Sequence, residues 1–189
     1  MSTKNFVTIE DLYKVEGQAE LVNGKIVRMP LHGCYIGTAI DNLKANLYEY
    51  SKHGKKGYPL GSTVAYIVDL PHRKAFCPDL AFCTEGDFSM EFPVGAPIFA
   101  AEFRDPDNYG PAAERKILDK IRDYFDAGTQ VIWDADVLQK GVVRVYRATD
   151  PDRPTIYRKG EIAEAEPALP GWSIPVDSLF SLRRRNIQE

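Results

Sequence analysis

Glu102 stands in a run that is otherwise apolar, APIFAAEF from Ala96 to Phe103, with Gly95 before it and Asp105-Pro106 after. A central strand covered on both faces reads this way. Alternation with period two sends Ile98, Ala100, Glu102 and Arg104 to one face and Phe99, Ala101 and Phe103 to the other. A carboxylate in that position has to be paired, hydrogen-bonded or bound to a cation, because a lone buried charge is very costly. A second acid, Asp79, opens another strand-like run in Cys77-Pro78-Asp79-Leu80-Ala81-Phe82. Two carboxylates on neighbouring strands are hard oxygen donors of the kind that suit Mg²⁺ (or Mn²⁺), an ion that keeps several waters and completes its shell from phosphate. A basic group completes the pattern. In the helical stripe Ala113, Ile117, Leu118, Ile121, Tyr124, Phe125, a step of about 100° per residue puts Lys120 at the edge of the packed face. From there its stem can run along apolar surface and bring the ammonium to the sheet's rim. Lys116 lies further round the same flank. Asp79, Glu102 and Lys120 together would make a phosphodiester-cleaving site. The metal would act as Lewis acid and water activator, and the ammonium would orient that water and stabilise developing negative charge. Glu20 is a candidate for a further carboxylate.

The elements that must position these groups are legible in outline. Thr8 caps a short first helix reaching about Glu16, with Glu10 and Asp11 in its first turn. Asn23-Gly24, between alternating apolar residues, predicts a tight hairpin from Glu20 onward. Ile36, Ile40, Leu43, Leu47 and Tyr50 predict a long amphipathic helix ending near His53-Gly54. Strands follow over Gly57 to Asp69, Pro78 to Cys83 and Ala96 to Arg104. Pro111 then opens a second main helix, which Gly128 stops. QVIWDAD and GVVRVYR form a further hairpin, and Leu169 to Trp172 with Val176 to Phe180 dock a tail on the core. The order predicts an α/β domain with a mixed sheet flanked by helices.

With 189 residues, 44% apolar and 27% charged, the chain has the composition of a globular domain, and no break in composition argues for two. One domain over residues 1–180, followed by a basic tail at 181–189, is expected. No stretch has the length or hydropathy of a membrane span. The cysteines Cys34, Cys77 and Cys83 make no CxxC pair, so buried free thiols in a reducing, cytoplasmic setting are expected. A net charge of −3 argues against nonspecific coating of nucleic acid by positive charge, and leaves room for a nuclease with local basic contacts. Lys52, Lys55 and Lys56, and the run Arg183 to Arg185, read as solvated charge on a turn and a tail.

The chain resembles the Uma-type family of restriction endonucleases, a branch of the PD-(D/E)XK nuclease superfamily. The pieces that carry the resemblance are Glu20-Leu-Val-Asn-Gly-Lys-Ile-Val, His32 before the long helix, Pro78-Asp79-Leu-Ala-Phe, Ala96-Pro-Ile-Phe-Ala-Ala-Glu102, Asp119-Lys120 to Gly128, Val131-Ile-Trp133-Asp, and Leu169-Pro-Gly-Trp172. They run in the family's order over nearly the whole chain. The resemblance implies a restriction-endonuclease-like fold, metal ligation by Asp79 and Glu102, Glu20 as accessory acid and Lys120 as catalytic lysine. In the superfamily pattern the lysine usually stands two residues after the glutamate, where this chain has Arg104; the family often moves it to the following helix, as Lys120 would be. Phe103-Arg-Asp-Pro also departs from the more usual Val-x-Ser-Pro.

Each residue has a structural reading as well. Asp79 suits a turn, Glu102 an ion pair with Arg104 or Lys120, Lys120 a surface position, and Glu20 a salt bridge near the hairpin. His32, His53 and His72 show no ligand spacing and read as turn or surface residues, and Trp133 and Trp172 as core. The expectation for function is a Mg²⁺-dependent DNA endonuclease, cytoplasmic and homodimeric. The alternative is an inert nuclease-derived binding or scaffold protein, motivated by Arg104 and the acidic net charge.

Overall fold

The structure, a computed structural model, describes residues 7–53, 57–84 and 89–181. Lys55, Lys56 and the arginine run at 183–185 lie outside those residues. A short helix α1 (Ile9–Leu12) leads into the hairpin β1 (Ala19–Val22) and β2 (Lys25–Arg28), then the long helix α2 (Cys34–Lys52). Strands β3 (Tyr58–Gly61), β4 (Tyr66–Ile67), β5 (Arg73–Phe76), β6 (Leu80–Cys83) and β7 (Phe99–Phe103) precede α3 (Pro111–Asp126). Strands β8 (Val131–Asp136), β9 (Val142–Arg147), β10 (Asp150–Arg158), β11 (Ile162–Glu164) and β12 (Ser173–Pro175) and a 3-10 turn (Val176–Phe180) close the chain.

Local chemistry accounts for the turns. Asn23 (φ 51°) and Gly24 (φ 66°) both take the positive φ that a two-residue hairpin demands. Pro111 starts α3 where a missing N–H costs nothing, and Gly128 (φ 110°) ends it in a conformation that penalises a side chain.

A six-stranded mixed sheet, ordered β10-β9-β8-β7-β6-β3, forms the centre, with β7 and β8 parallel and the other pairs antiparallel. Helix α2 covers one face: Ile36, Ala39, Leu43 and Leu47 pack with Phe82, Phe99, Ala101, Phe103 and Trp133. The expected tail docking is present, since Leu169, Trp172, Val176 and Leu179 join this core and Trp172 lies 5.2 Å from Trp133, centroid to centroid. Helix α3 covers the other face, where Ile121 and Tyr124 meet Ala100, Ile132 and Phe76.

The expected mixed α/β sheet flanked by helices is therefore present, with differences in detail. The run from Gly57 to Asp69 is not one strand. Its two ends pair in different sheets, because Ser62 to Ala65 leave the ladder, and β4 joins a second, four-stranded antiparallel sheet, β2-β1-β5-β4. That sheet, β5 within it, β10 and the pair β11–β12 were not anticipated; the short strands leave little periodicity to detect, and Pro151 and Pro154 mask β10, which is tolerated as a strand at the sheet's edge. Helix α1 ends at Leu12, before the anticipated Glu16. Cys77 and Cys83 are buried free thiols as expected, whereas Cys34 is exposed at the start of α2.

Candidate active site

The site forms at the seam between the two sheets. Between β5 and β6 only Cys77, Pro78 and Asp79 intervene, so the chain leaves one sheet and enters the other across three residues. Leu80 pairs with Ala101, which seats Asp79 beside the end of β7. There Asp79 Oδ2 accepts the N–H of Phe103 at 2.7 Å. Its Oδ1 lies 2.8 Å from His32 Nε2 and accepts the Gln18 amide at 3.3 Å.

Glu20 reaches the same seam from β1. Its Oε2 accepts a hydrogen bond from Arg73 at 2.5 Å, and its Oε1 lies 3.2 Å from the Cys77 N–H and 2.9 Å from Lys120 Nζ. Lys120 Nζ is also 2.8 Å from Glu102 Oε2, and the Tyr124 hydroxyl donates to Glu102 Oε1 at 2.6 Å. Glu20, Glu102 and Lys120 thus meet directly, with Asp79 beside them, and all four candidates come together. Of the two ion pairs available to Glu102 from the sequence, Lys120 makes one and Arg104 does not.

The electrostatics separate the two glutamates that share the ammonium. Burial pushes the Glu20 carboxyl up, but Lys120, Arg73 and hydrogen bonds from Lys120 and Cys77 outweigh it and hold the group below its ordinary value. Burial likewise drives Glu102 up; Lys120 opposes, Asp79 and Glu20 add like charge, and the carboxyl is pushed up to about 7. Burial would lower Lys120, but Glu102 and Glu20 hold it above the usual lysine range, so it stays an ammonium. Tyr124, desolvated beside Glu102, keeps its proton.

Four contributors were not read as site residues: Gln18, whose amide donates to Asp79, and the three that follow. His32, read as a turn or surface residue, sits between Asp79 and Asp105, with Nδ1 3.0 Å from Asp105 Oδ1. Its hydrogen bond to Asp79, opposed by burial and helped by both carboxylates, raises it to about 9. Its partners are 47 and 73 residues away in sequence, so no spacing rule could find them. Arg73 was unassigned; its Nε donates to Asp123 at 2.9 Å while its other arm holds Glu20. Tyr124 looked like core, and its ring does stack on Phe76 at 3.9 Å, while its hydroxyl faces the site.

Asp79, Glu102, Lys120 and His32 open onto a cleft of about 800 Å³, walled on one side by the loop from Arg28 to His32 and on the other by α3 with Lys116 and Lys120. Among the described residues, no three His, Cys, Asp or Glu side chains are grouped so as to hold a metal ion. Asp79 and Glu102 remain as a two-carboxylate set of hard oxygens. Burial, with like charge from Asp79 and Glu20 added, makes Glu102 hard to ionise, and both features fit a divalent ion completed by water and phosphate.

No curated protein matches the chain. A crystal structure described as that of "a putative nuclease belonging to DUF820" from Anabaena variabilis superposes with a TM-score of 0.72 at 15% identity, covering 92% of this chain and 97% of that one. At that identity the likeness shows a shared fold. The model of the Uma2 family, "Putative restriction endonuclease", matches residues 7–177, and the chain belongs to that family.

Proposed function

We propose that the protein is a Mg²⁺-dependent (or Mn²⁺-dependent) endonuclease that hydrolyses DNA phosphodiester bonds, with Asp79 and Glu102 as metal ligands, Lys120 as catalytic lysine and Glu20 as accessory acid. The observation that supports this most is the meeting of Glu20 and Glu102 on one ammonium, with Asp79 beside them and the Glu102 carboxyl raised to about 7. When bound, the ion supplies Lewis acidity toward a phosphoryl oxygen and eases loss of a proton from water. The side chains do the rest. Phe103 N–H, Gln18 and His32 hold Asp79 with both oxygens directed. Tyr124 fixes the second oxygen of Glu102. Because two carboxylates keep its proton in place, Lys120 acts as a donor rather than a base. It can orient a water and stabilise negative charge as the phosphorus centre crowds. Arg73 holds Glu20 ionised, so the ammonium is shared rather than captured by Glu102.

Cutting both strands of a duplex calls for two such sites, so a cytoplasmic homodimer is the assembly proposed. The test is incubation of supercoiled plasmid with the protein and Mg²⁺ or Mn²⁺, beside Asp79→Ala and Glu102→Ala. Metal-dependent nicking lost in both variants is expected; nicking unchanged in both refutes the assignment. One observation favours the inert-scaffold reading: both Glu102 oxygens are already engaged, by Lys120 and Tyr124. Calorimetry separates the two, since an inert scaffold would show no Mg²⁺ binding that Glu102→Ala abolishes.

A further inference from the structure

Arg104 stands on the strand face of Glu102, yet its guanidinium turns away from the carboxylates of the site. It is 2% exposed and forks onto Asp134 within β8, with Nε to Oδ1 at 2.7 Å and an amino nitrogen to Oδ2 at 2.6 Å. Its other edge forks onto Glu114 in the opening turns of α3, one arm at 2.9 Å and the other closer still. The loop between β7 and α3 is pinned by the same network: Tyr109 donates to Asp136 at 2.8 Å, and Arg104 lies over the Tyr109 ring. Arg144, across β9, holds Asp134 from the far side at 3.2 Å.

We propose that Arg104 is a positioning residue: by clamping Glu114 on α3 to Asp134 on β8, it sets where α3 rests on the sheet and hence where Lys120 stands between Glu20 and Glu102. Lys120 lies six residues beyond Glu114, about 9 Å along the helix axis. The apolar contacts of Ile121 and Tyr124 hold the helix down but are non-directional, and they resist sliding poorly. Paired forks are directional and restrain both position and rotation. A lysine at 104 could not do this, because one ammonium has no planar fork to present to two carboxylates at once. The strand position therefore anchors the helix, and the helix delivers the ammonium.

This rests on the proposed role of Lys120, so the test reads its environment apart from turnover. The full chain, metal-free, is treated with an amine-acylating reagent, and the modification rate of Lys120 is followed by mass spectrometry against exposed Lys14 and Lys25. Glu114→Gln removes the more exposed partner and leaves Asp134 paired; Arg104→Lys keeps the charge without the forks. Lys120 acylation is expected to rise about tenfold in Glu114→Gln, with the reference lysines unchanged, as loss of a charge-assisted hydrogen bond would allow. Arg104→Lys is expected to raise it as well, and in plasmid cleavage both variants should lose kcat with KM preserved. Acylation at the wild-type rate in both variants, even with a lowered thermal midpoint, would overturn the proposal and leave the clamp purely stabilising. A wild-type protein that never cuts DNA would count against the nuclease reading while the acylation result still decides this one.

Discussion

Two charge networks lie beneath α3, and they are built on opposite plans. Around Arg104, guanidinium forks meet Asp134 and Glu114, Arg144 adds a second cation, and Tyr109 donates to Asp136. Around Lys120, three carboxylates crowd one ammonium, one guanidinium shared with Asp123, and an imidazolium shared with Asp105. The first network sets two guanidiniums among three carboxylates, with Glu114 held below its ordinary value by its hydrogen bonds to Arg104, and it holds elements in place. The second pushes Glu102 up to about 7, through burial first and then the like charge of Asp79 and Glu20. A carboxyl raised rather than lowered is what distinguishes the candidate site from the clasp.

Substitutions should expose the contrast. The largest effect is expected from Arg104→Met, which takes the forked partner from buried Asp134 and leaves it Arg144 alone at 3.2 Å; a loss of about 3 kcal/mol, the lower end for removing one partner of a buried pair, is measurable by urea unfolding. Lys120→Met should act on the reaction more than on the fold. Cleavage should fall by about 10²–10³, the range for losing one donor to developing charge, while Glu20 keeps Arg73 as partner.

Glu102→Gln should move stability in the opposite sense to Arg104→Met. A carboxyl raised in the fold contributes stability that is present below its unfolded value of 4.5 and lost as pH rises through about 7. The variant escapes that loss, so it should be more stable than wild type by on the order of 1 kcal/mol at pH 8 and equal to it near pH 4, without metal. His32 adds to the wild-type slope in the same direction. Raised to about 9, its contribution is whole below 6.5 and fades as pH climbs through 9. Thermal midpoints across pH 4 to 9 read both effects, and a flat wild-type profile would erase the contrast between the networks. The smallest change is expected from Tyr124→Phe. The ring stays stacked on Phe76 and one hydrogen bond to Glu102 goes, a loss of about 1 kcal/mol by chemical unfolding.

What sequence alone determined here is what local rules can carry. Asn23-Gly24 required a tight turn, Pro111 and Gly128 bounded α3, and a lone acid in an apolar strand marked Glu102 as a residue that needed a partner. The helical phase of Lys120 and the ordered family motifs then picked out four candidates, Glu20, Asp79, Glu102 and Lys120, on elements that the fold brings together. Tertiary structure decided everything that depended on two sheets meeting. The split of Gly57 to Asp69 between sheets, the crossing at Cys77 to Asp79, and the recruitment of Arg73, Gln18 and His32 all depend on pairings far apart in the chain. The same holds for Arg104: its type was readable as a departure from lysine, but its orientation toward Asp134 and Glu114 was not. Periodicity reports which face a residue occupies, while the choice among partners on that face is set by distances that exist only after the chain has closed.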